Sequence, residues 1–320
     1  MPYELLGAAG LTVEARTTYS RALIMRARPM FVHAGHGKKA TIPRRGGVNL
    51  QWRRLEARTG TTTALTEGTQ GAITQLTFIS VTGTLDQYGQ YTPISDVAML
   101  QSIDDIVAEA TEMYGETMGD SIDLVARAAM TGGTTIQYRG TRGSRGDVRS
   151  GDVINYAELR EVVDTLRRNN AKPFAEGLFH GIMHPDTERD MFADADILLA
   201  FQHALGGGQQ QLIKGRVGDF YGVRWQVSSN SRIFSSLGLS GADVYGTLVF
   251  GQEWYGELDY EAKDPLSLAE VVVKPIGSAG TDDPLNQRAS IGWKAAYSAV
   301  ILDQLFGVRL EHLTTRSTAA

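Results

Sequence analysis

The chain has no cysteine among its 320 residues. Disulfides and thiolate metal sites are therefore excluded. No apolar run approaches the ~18 residues that a membrane-spanning helix needs. The first stretch, MPYELLGAAGLTVEARTTYS, has neither a basic start nor a long apolar core. A secretory signal is not expected, and the protein is expected to be made and kept in a cytoplasm. Lysine is scarce and unevenly placed. The seven lysines are Lys38, Lys39, Lys172, Lys214, Lys263, Lys274 and Lys294, with none from Thr41 to Ala171.

Catalytic signatures are missing as well. There is no Walker loop and no G-x-G-x-x-G, and the stretch nearest to a nucleophile elbow, Gly238-Leu239-Ser240-Gly241-Ala242, lacks the last glycine. His180 and His184 fall in an expected strand. There they share a face but sit roughly 13 Å apart, too far to hold one metal. His184, before Pro185-Asp186, is expected to cap a turn. His33 and His36 have no carboxylate near them in sequence, and Asp282-Asp283 lacks partners. No catalytic residue, metal site or cofactor is expected.

What is present suits a globular chain of one large or two modest domains. The 36 glycines exceed the usual ~7% share and favour strands, turns and loops over a helical bundle. Charge is split along the chain. Residues 1–58 hold eleven Lys/Arg against three Glu, while the rest holds twenty basic and thirty-three acidic residues. A basic arm on an acidic body can bind nucleic acid or the acidic body of a neighbouring copy. The basic residues are dispersed with few aromatics among them for base stacking, which favours the neighbouring copy.

Periodicity predicts the elements. Leu11 to Met25 reads as a short helix ended by Arg28-Pro29. Val48, Leu50 and Trp52 alternate with polar residues, and Ala72 to Ser95 reads as the returning strand of a long hairpin with a polar Gly/Thr-rich turn. A two-stranded ribbon is marginal alone, so it must pack on something outside its own domain. Ser102 to Met130 has the spacing of one long helix, roughly 43 Å. Its apolar stripe comprises Ile103, Ile106, Val107, Ala110, Met113, Tyr114, Met118, Ile122 and Val125. Gly115 and Gly119 suggest either another backbone passing close or a mild kink without function. After the loop GTRGSRGDVRSGD, Asn155 and Glu158 resemble a capping box, with Leu159, Val162, Val163 and Leu166 as the buried stripe. The tripeptide Arg145-Gly146-Asp147 in that loop reads as a chance match to an adhesion motif. Leu268 to Lys274, Ser290 to Leu302 and Val308 to Leu313 read as the sheet laid along the long helix. No internal repeat is visible.

Four segments carry a family resemblance. They are Tyr88-Gly89-Gln90-Tyr91-Thr92-Pro93-Ile94-Ser95-Asp96, His184-Pro185-Asp186-Thr187, Leu248-Val249-Phe250-Gly251, and Asp283-Pro284-Leu285-Asn286-Gln287-Arg288 followed by Ile291-Gly292-Trp293-Lys294. In order and spacing the chain resembles the major capsid proteins of tailed bacteriophages, in the branch typified by the N4-like podoviruses.

The resemblance implies an α+β fold of the Hong Kong 97-like type. It implies an N-terminal arm (1–39), an extended β-hairpin loop (40–82), a peripheral domain (83–150 and 258–320) with a spine helix (102–130) and antiparallel sheet, and an inserted α/β axial domain (151–257). The implied function is structural. Copies of the chain would form the hexamers and pentamers of an icosahedral head, assembled in the host cytoplasm around double-stranded DNA. Portal, scaffold and decoration proteins would be further partners, with no membrane involved. The same fold builds bacterial nanocompartments, which is one alternative. A metal- or serine-dependent hydrolase is the alternative of a different class.

The implied inter-subunit residues are Arg44, Arg45, Trp52, Arg53, Arg54, Arg58 and Glu67. In some members of the wider fold a loop lysine attacks an asparagine of the next subunit. This loop carries arginines instead, and a guanidinium is no nucleophile at pH 7. Shells held only by non-covalent contacts are the expectation.

Overall fold

The computed structural model describes residues 31–43, 46–56, 58, 60–65, 67–68, 70–71, 73–101, 106–140, 142–203, 218–260, 269–278 and 282–317. The helix expected over Leu11 to Met25 lies outside them. In chain order the strands and helices are β1 (Lys38–Ile42), β2 (Asn49–Leu55), β3 (Phe78–Thr84), β4 (Asp86–Ser95), α1 (Asp96–Gln101), α2 (Ile106–Thr131), β5 (Ile136–Tyr138), α3 (Tyr156–Arg168), β6 (Phe179–Met183), α4 (Pro185–Ala193), α5 (Ala195–His203), β7 (Asp219–Phe220), β8 (Val223–Val227), β9 (Ile233–Phe234), β10 (Val244–Phe250), β11 (Tyr255–Tyr260), β12 (Ala269–Lys274), β13 (Arg288–Ile301) and β14 (Gly307–His312).

A first sheet is built on β13. Its earlier part pairs antiparallel with β4 and with β12, and its end pairs with β11, beside which β1 runs parallel. The period of two explains the packing. Ile291, Trp293 and Ala295 are buried against Tyr114 and Met118 of α2, and Tyr297 against Ala126. Burying a large apolar side chain such as Ile291 or Met118 contributes roughly 1.5–3 kcal/mol. The stripe on α2 is narrower than its sequence suggests. Tyr114 and Met118 are 2% exposed, and Ala110, Ile122 and Val125 pack at the margins, but Met113 is 53% exposed. Adjacent residues lie about 100° apart around a helix, so Met113 cannot share the buried line through Tyr114 and Met118. Gly115 and Gly119 are buried on that line. Ile106 and Val107 open the helix, and Ile103 lies outside the described residues.

A second sheet runs in the order β5-β14-β10-β6-β8-β7, with β9 also on β10. Helix α3 covers it with Leu159, Val162, Val163 and Leu166, packed on Val249, Val308 and Leu310. The Asn155 side chain accepts the Glu158 N–H at 3.0 Å and caps α3. The Glu158 carboxylate does not complete the box. It accepts from Arg139 Nη1 (2.6 Å) and the Gly140 N–H (3.1 Å) instead. His184 caps α4, its Nδ1 accepting the Asp186 N–H at 3.1 Å.

Two expectations are corrected. β14 does not join the sheet on α2. It pairs with β10 and β5, because Val308 and Leu310 are drawn into the core under α3. The segment Ala72 to Ser95 is not one return strand. β3 pairs with β2, whereas β4 crosses to β13. The division falls at Leu85, buried with Ile42 and Leu258. Lys38–Ile42 form a strand held along β11.

Candidate assembly interface

The β2–β3 ribbon forms a sheet of its own. Its seven-residue register runs from Asn49↔Thr84 to Leu55↔Phe78. Alternation gives it two faces. Leu50, Trp52 and Arg54, opposite Gly83, Val81 and Ile79, turn toward the body. The Trp52 indole fits where Gly83 and Gly256 leave room. A Cβ on either glycine would come within 2.7 Å and 2.9 Å of the ring. Arg54 forms an ion pair with Asp303, whose carboxylate also caps Leu305 N–H at 3.1 Å. A cavity of about 80 Å³ lies beneath, lined in part by Trp52, Val81, Leu302 and Phe306. Lys38 and Glu253 close its rim at 2.8 Å.

The outer face is polar near the body: Asn49 with Thr84, Gln51 with Thr82, Arg53 with Ser80. It turns apolar at the far end, where Leu55 (54% exposed) faces Phe78 (62%). Beyond them Leu65, Ile73 and Leu76 are exposed too. Contiguous exposed apolar surface rimmed by polar residues marks a contact site.

The sequence-derived interface residues thus separate. Arg53 and Glu67 are exposed. Arg58 donates to the Gln75 carbonyl across the loop. Trp52 and Arg54 are engaged within the chain. Arg44 and Arg45 lie outside the described residues.

Residues 31–37 enter the body through a site that sequence reasoning missed. Asp123 of α2 is fully buried; its Oδ1 accepts the N–H groups of Val32 (2.9 Å), His33 (2.6 Å) and Ala34 (3.3 Å), and its Oδ2 lies 2.7 Å from His33 Nδ1. Glu257 of β11 accepts from Gly35 (2.6 Å) and Gly37 (3.0 Å). The Tyr255 hydroxyl donates to the His33 carbonyl at 2.6 Å and accepts the His36 N–H at 3.2 Å. Six consecutive amides are therefore satisfied by three side chains. Burial alone would push the Asp123 carboxyl up, but hydrogen bonds from the His33 ring and from the His33 and Val32 N–H groups outweigh it and hold the carboxyl below its ordinary range. His33, which has no carboxylate near it in sequence, meets one 90 positions away. One signal was available: an aspartate between Ile122 and Ala126, on the apolar side of the helix. Two residues beyond Glu257, burial pushes the Asp259 carboxyl up to about 6, and its Oδ1 has no hydrogen-bond partner.

Arg145 is not available to a receptor. Its guanidinium donates twice to the buried Glu311, at 2.7 Å each, and stacks 3.6 Å above Phe234. Among the described residues no three His, Asp or Glu are grouped to hold a metal, and no helix is long and apolar enough to cross a membrane.

The sequence model of the phage capsid protein family matches residues 79–310. The chain belongs to the phage capsid protein family. Solved capsids share its fold. That of cyanophage Pam1 aligns with a TM-score of 0.70 at 15% identity, covering 91% of this chain and 93% of that one. That of cyanophage P-SCSP1u aligns at 0.67 with 13% identity and 89% of both chains. That of Ralstonia phage GP4 aligns at 0.66 with 12% identity, covering 90% and 89%. No curated protein matches the chain. The capsid protein is thus a structural major capsid protein of tailed phages, with the Hong Kong 97-like α+β fold. It builds the virion shell from many copies of itself.

Proposed function

We propose that the capsid protein closes an icosahedral head around double-stranded DNA, using the β2–β3 ribbon and its tip as the element that reaches a neighbouring copy. Portal, scaffold and decoration proteins complete the particle. In this reading residues 1–39 serve as the arm and 40–82 as the extended loop. Residues 83–150 with 258–320 form the peripheral domain around the helix of 102–130. Residues 151–257 form the axial domain, whose sheet borrows β5 and β14. One observation supports it most: a ribbon with no core of its own carries its largest exposed apolar side chains at its far end. Deleting Thr59 to Gln70 should leave a soluble, folded protein that makes few or no shells by negative-stain microscopy. Normal shells would sink the assignment.

The shell is held by non-covalent contacts. With no cysteine anywhere and no lysine from Thr41 to Ala171, the loop offers no amine or thiol to cross-link. Shells boiled in denaturant without reductant should give one band near the 34.8 kDa of the chain. A ladder of dimers and larger species would refute this.

A further inference from the structure

The anchor of residues 31–37 contains a second histidine whose ring faces another. The His36 and His180 ring centroids lie 4.4 Å apart. Phe174 stands edge-on to His180 at 4.2 Å, and Phe250 backs both rings at about 6 Å. His36 Nε2 lies 3.1 Å from Gln226 Oε1, and His180 Nδ1 is buried with no partner. An imidazole is readily accommodated in such an aromatic box. Two imidazolium rings in contact are not, because like charges in a poorly solvated site repel strongly.

We propose that His36 and His180 form a proton-sensitive latch that holds residues 31–37 against β6 and β11 at neutral pH and releases them in mild acid.

The charged surroundings do not cancel the effect. On the His36 side stand Glu257 and Tyr255 of β11, Asp123 of α2 and His33 of the same segment. Glu257 is already engaged with two backbone N–H groups and Asp123 with three. On the His180 side stand Arg224 of β8, Glu176 and Asp219. Arg224 is ion-paired with both of those carboxylates. Burial accordingly lowers His36, and burial followed by the charge of His36 lowers His180 to about 4.

Linkage then fixes the sign. A histidine depressed in the docked state and restored toward its ordinary 6.5 on release favours docking fully above pH 6.5 and loses that contribution as pH falls toward the docked value. His180 is only half-buried, so solvent screening moderates its share. About tenfold weaker docking at pH 5.0 than at pH 7.5 is the expected size.

Hydrogen exchange of the full-length protein tests this directly, because every amide from Val32 to Gly37 is held by one of three side chains. Exchange in the peptide spanning 31–37 is followed at pH 7.5 and 5.0 and corrected for the intrinsic pH dependence of the chemistry. Protection should fall about tenfold at pH 5.0, while α3 keeps its own. His180→Phe, which fills the aromatic box without a charge, should retain most of the protection at pH 5.0, and His36→Gln serves as a second variant should the first melt early at pH 7.5. The latch is overturned by equal protection at both pH values, by acid loss of the same size in both variants, or by α3 opening in parallel.

Discussion

The second sheet and the ribbon are both β-structure, yet they are stabilised in opposite ways. Every residue of β10 and of β14 is buried, and α3 lies on the core they form. Of the fourteen residues in β2 and β3, only Gly83 is buried, and the two strands pair only with each other. The first region draws its stability from its own apolar burial. The second is attached to the body through Trp52 and Arg54 and leaves its far end uncovered. Folding free energy and assembly free energy are therefore written into different segments of one chain. A substitution should affect one of them and largely spare the other.

The sharpest break of that contrast is a charge in the sealed core. Val163 is 1% exposed on α3. Val163→Asp buries a carboxylate without a partner, at a cost of several kcal/mol, against a usual total of about 5–15 kcal/mol. Insoluble protein is expected. A soluble variant with an unchanged melting temperature would show that this core does not hold the fold.

A smaller, opposite effect is expected within the first sheet, on β11. Asp259 has a raised folded-state pKa of about 6. Its contribution is favourable while protonated and is lost as pH rises through that value, so at pH 7.5 the ionised carboxylate costs stability. Asp259 is partly exposed, so solvent screening limits the cost to about 1 kcal/mol. Asp259→Asn should raise the melting temperature at pH 7.5 by a few degrees and change little at pH 4.5. A fall at pH 7.5, measured by calorimetry, would mean that the carboxylate has a stabilising partner.

The same contrast decides what the sequence could disclose. Periodic burial was legible. The alternation from Ile291 to Tyr297, the stripe on α3 and the caps at Asn155 and His184 all follow from local spacing. Pairings that depend on distant partners were not. In β14 the alternating Arg309 and Glu311 look like a solvated face, but they are buried, with Arg309 Nε 2.8 Å from Glu311 Oε1 and Arg145 on the same carboxylate. Charge that is neutralised internally hides a buried strand. Asp123 was missed for a related reason. Its partners are the His33 ring and the backbone N–H groups of a segment with no periodicity, so the only trace in the sequence is an acidic residue on the apolar side of α2. At the ribbon, the resemblance pointed to Arg53 and Arg58, both of which are exposed. It could not show that Trp52 turns inward, which depends on glycines at positions 83 and 256, or that Arg54 pairs with Asp303.

The smallest effect on folding should come from the ribbon's end, and there the comparison can be tested most cleanly. Phe78 is 62% exposed and its register partner Leu55 is 54% exposed. Phe78→Asp removes apolar area that the isolated chain already leaves in water, and surface changes of this kind usually stay within about 0.5 kcal/mol. The melting temperature of the soluble subunit should therefore be nearly unchanged. Assembly should respond differently. If a neighbouring copy covers this pair, the variant places a charge where an aromatic ring would be buried, at a cost of a few kcal/mol for every contact in the shell. Because that cost recurs at each copy, shell yield by sedimentation should collapse at protein concentrations where the parent assembles fully. Full shell yield would locate the covering contact elsewhere on the chain. A large drop in melting temperature would show instead that the ribbon contributes to folding, and the separation of the two energies along the sequence would fail.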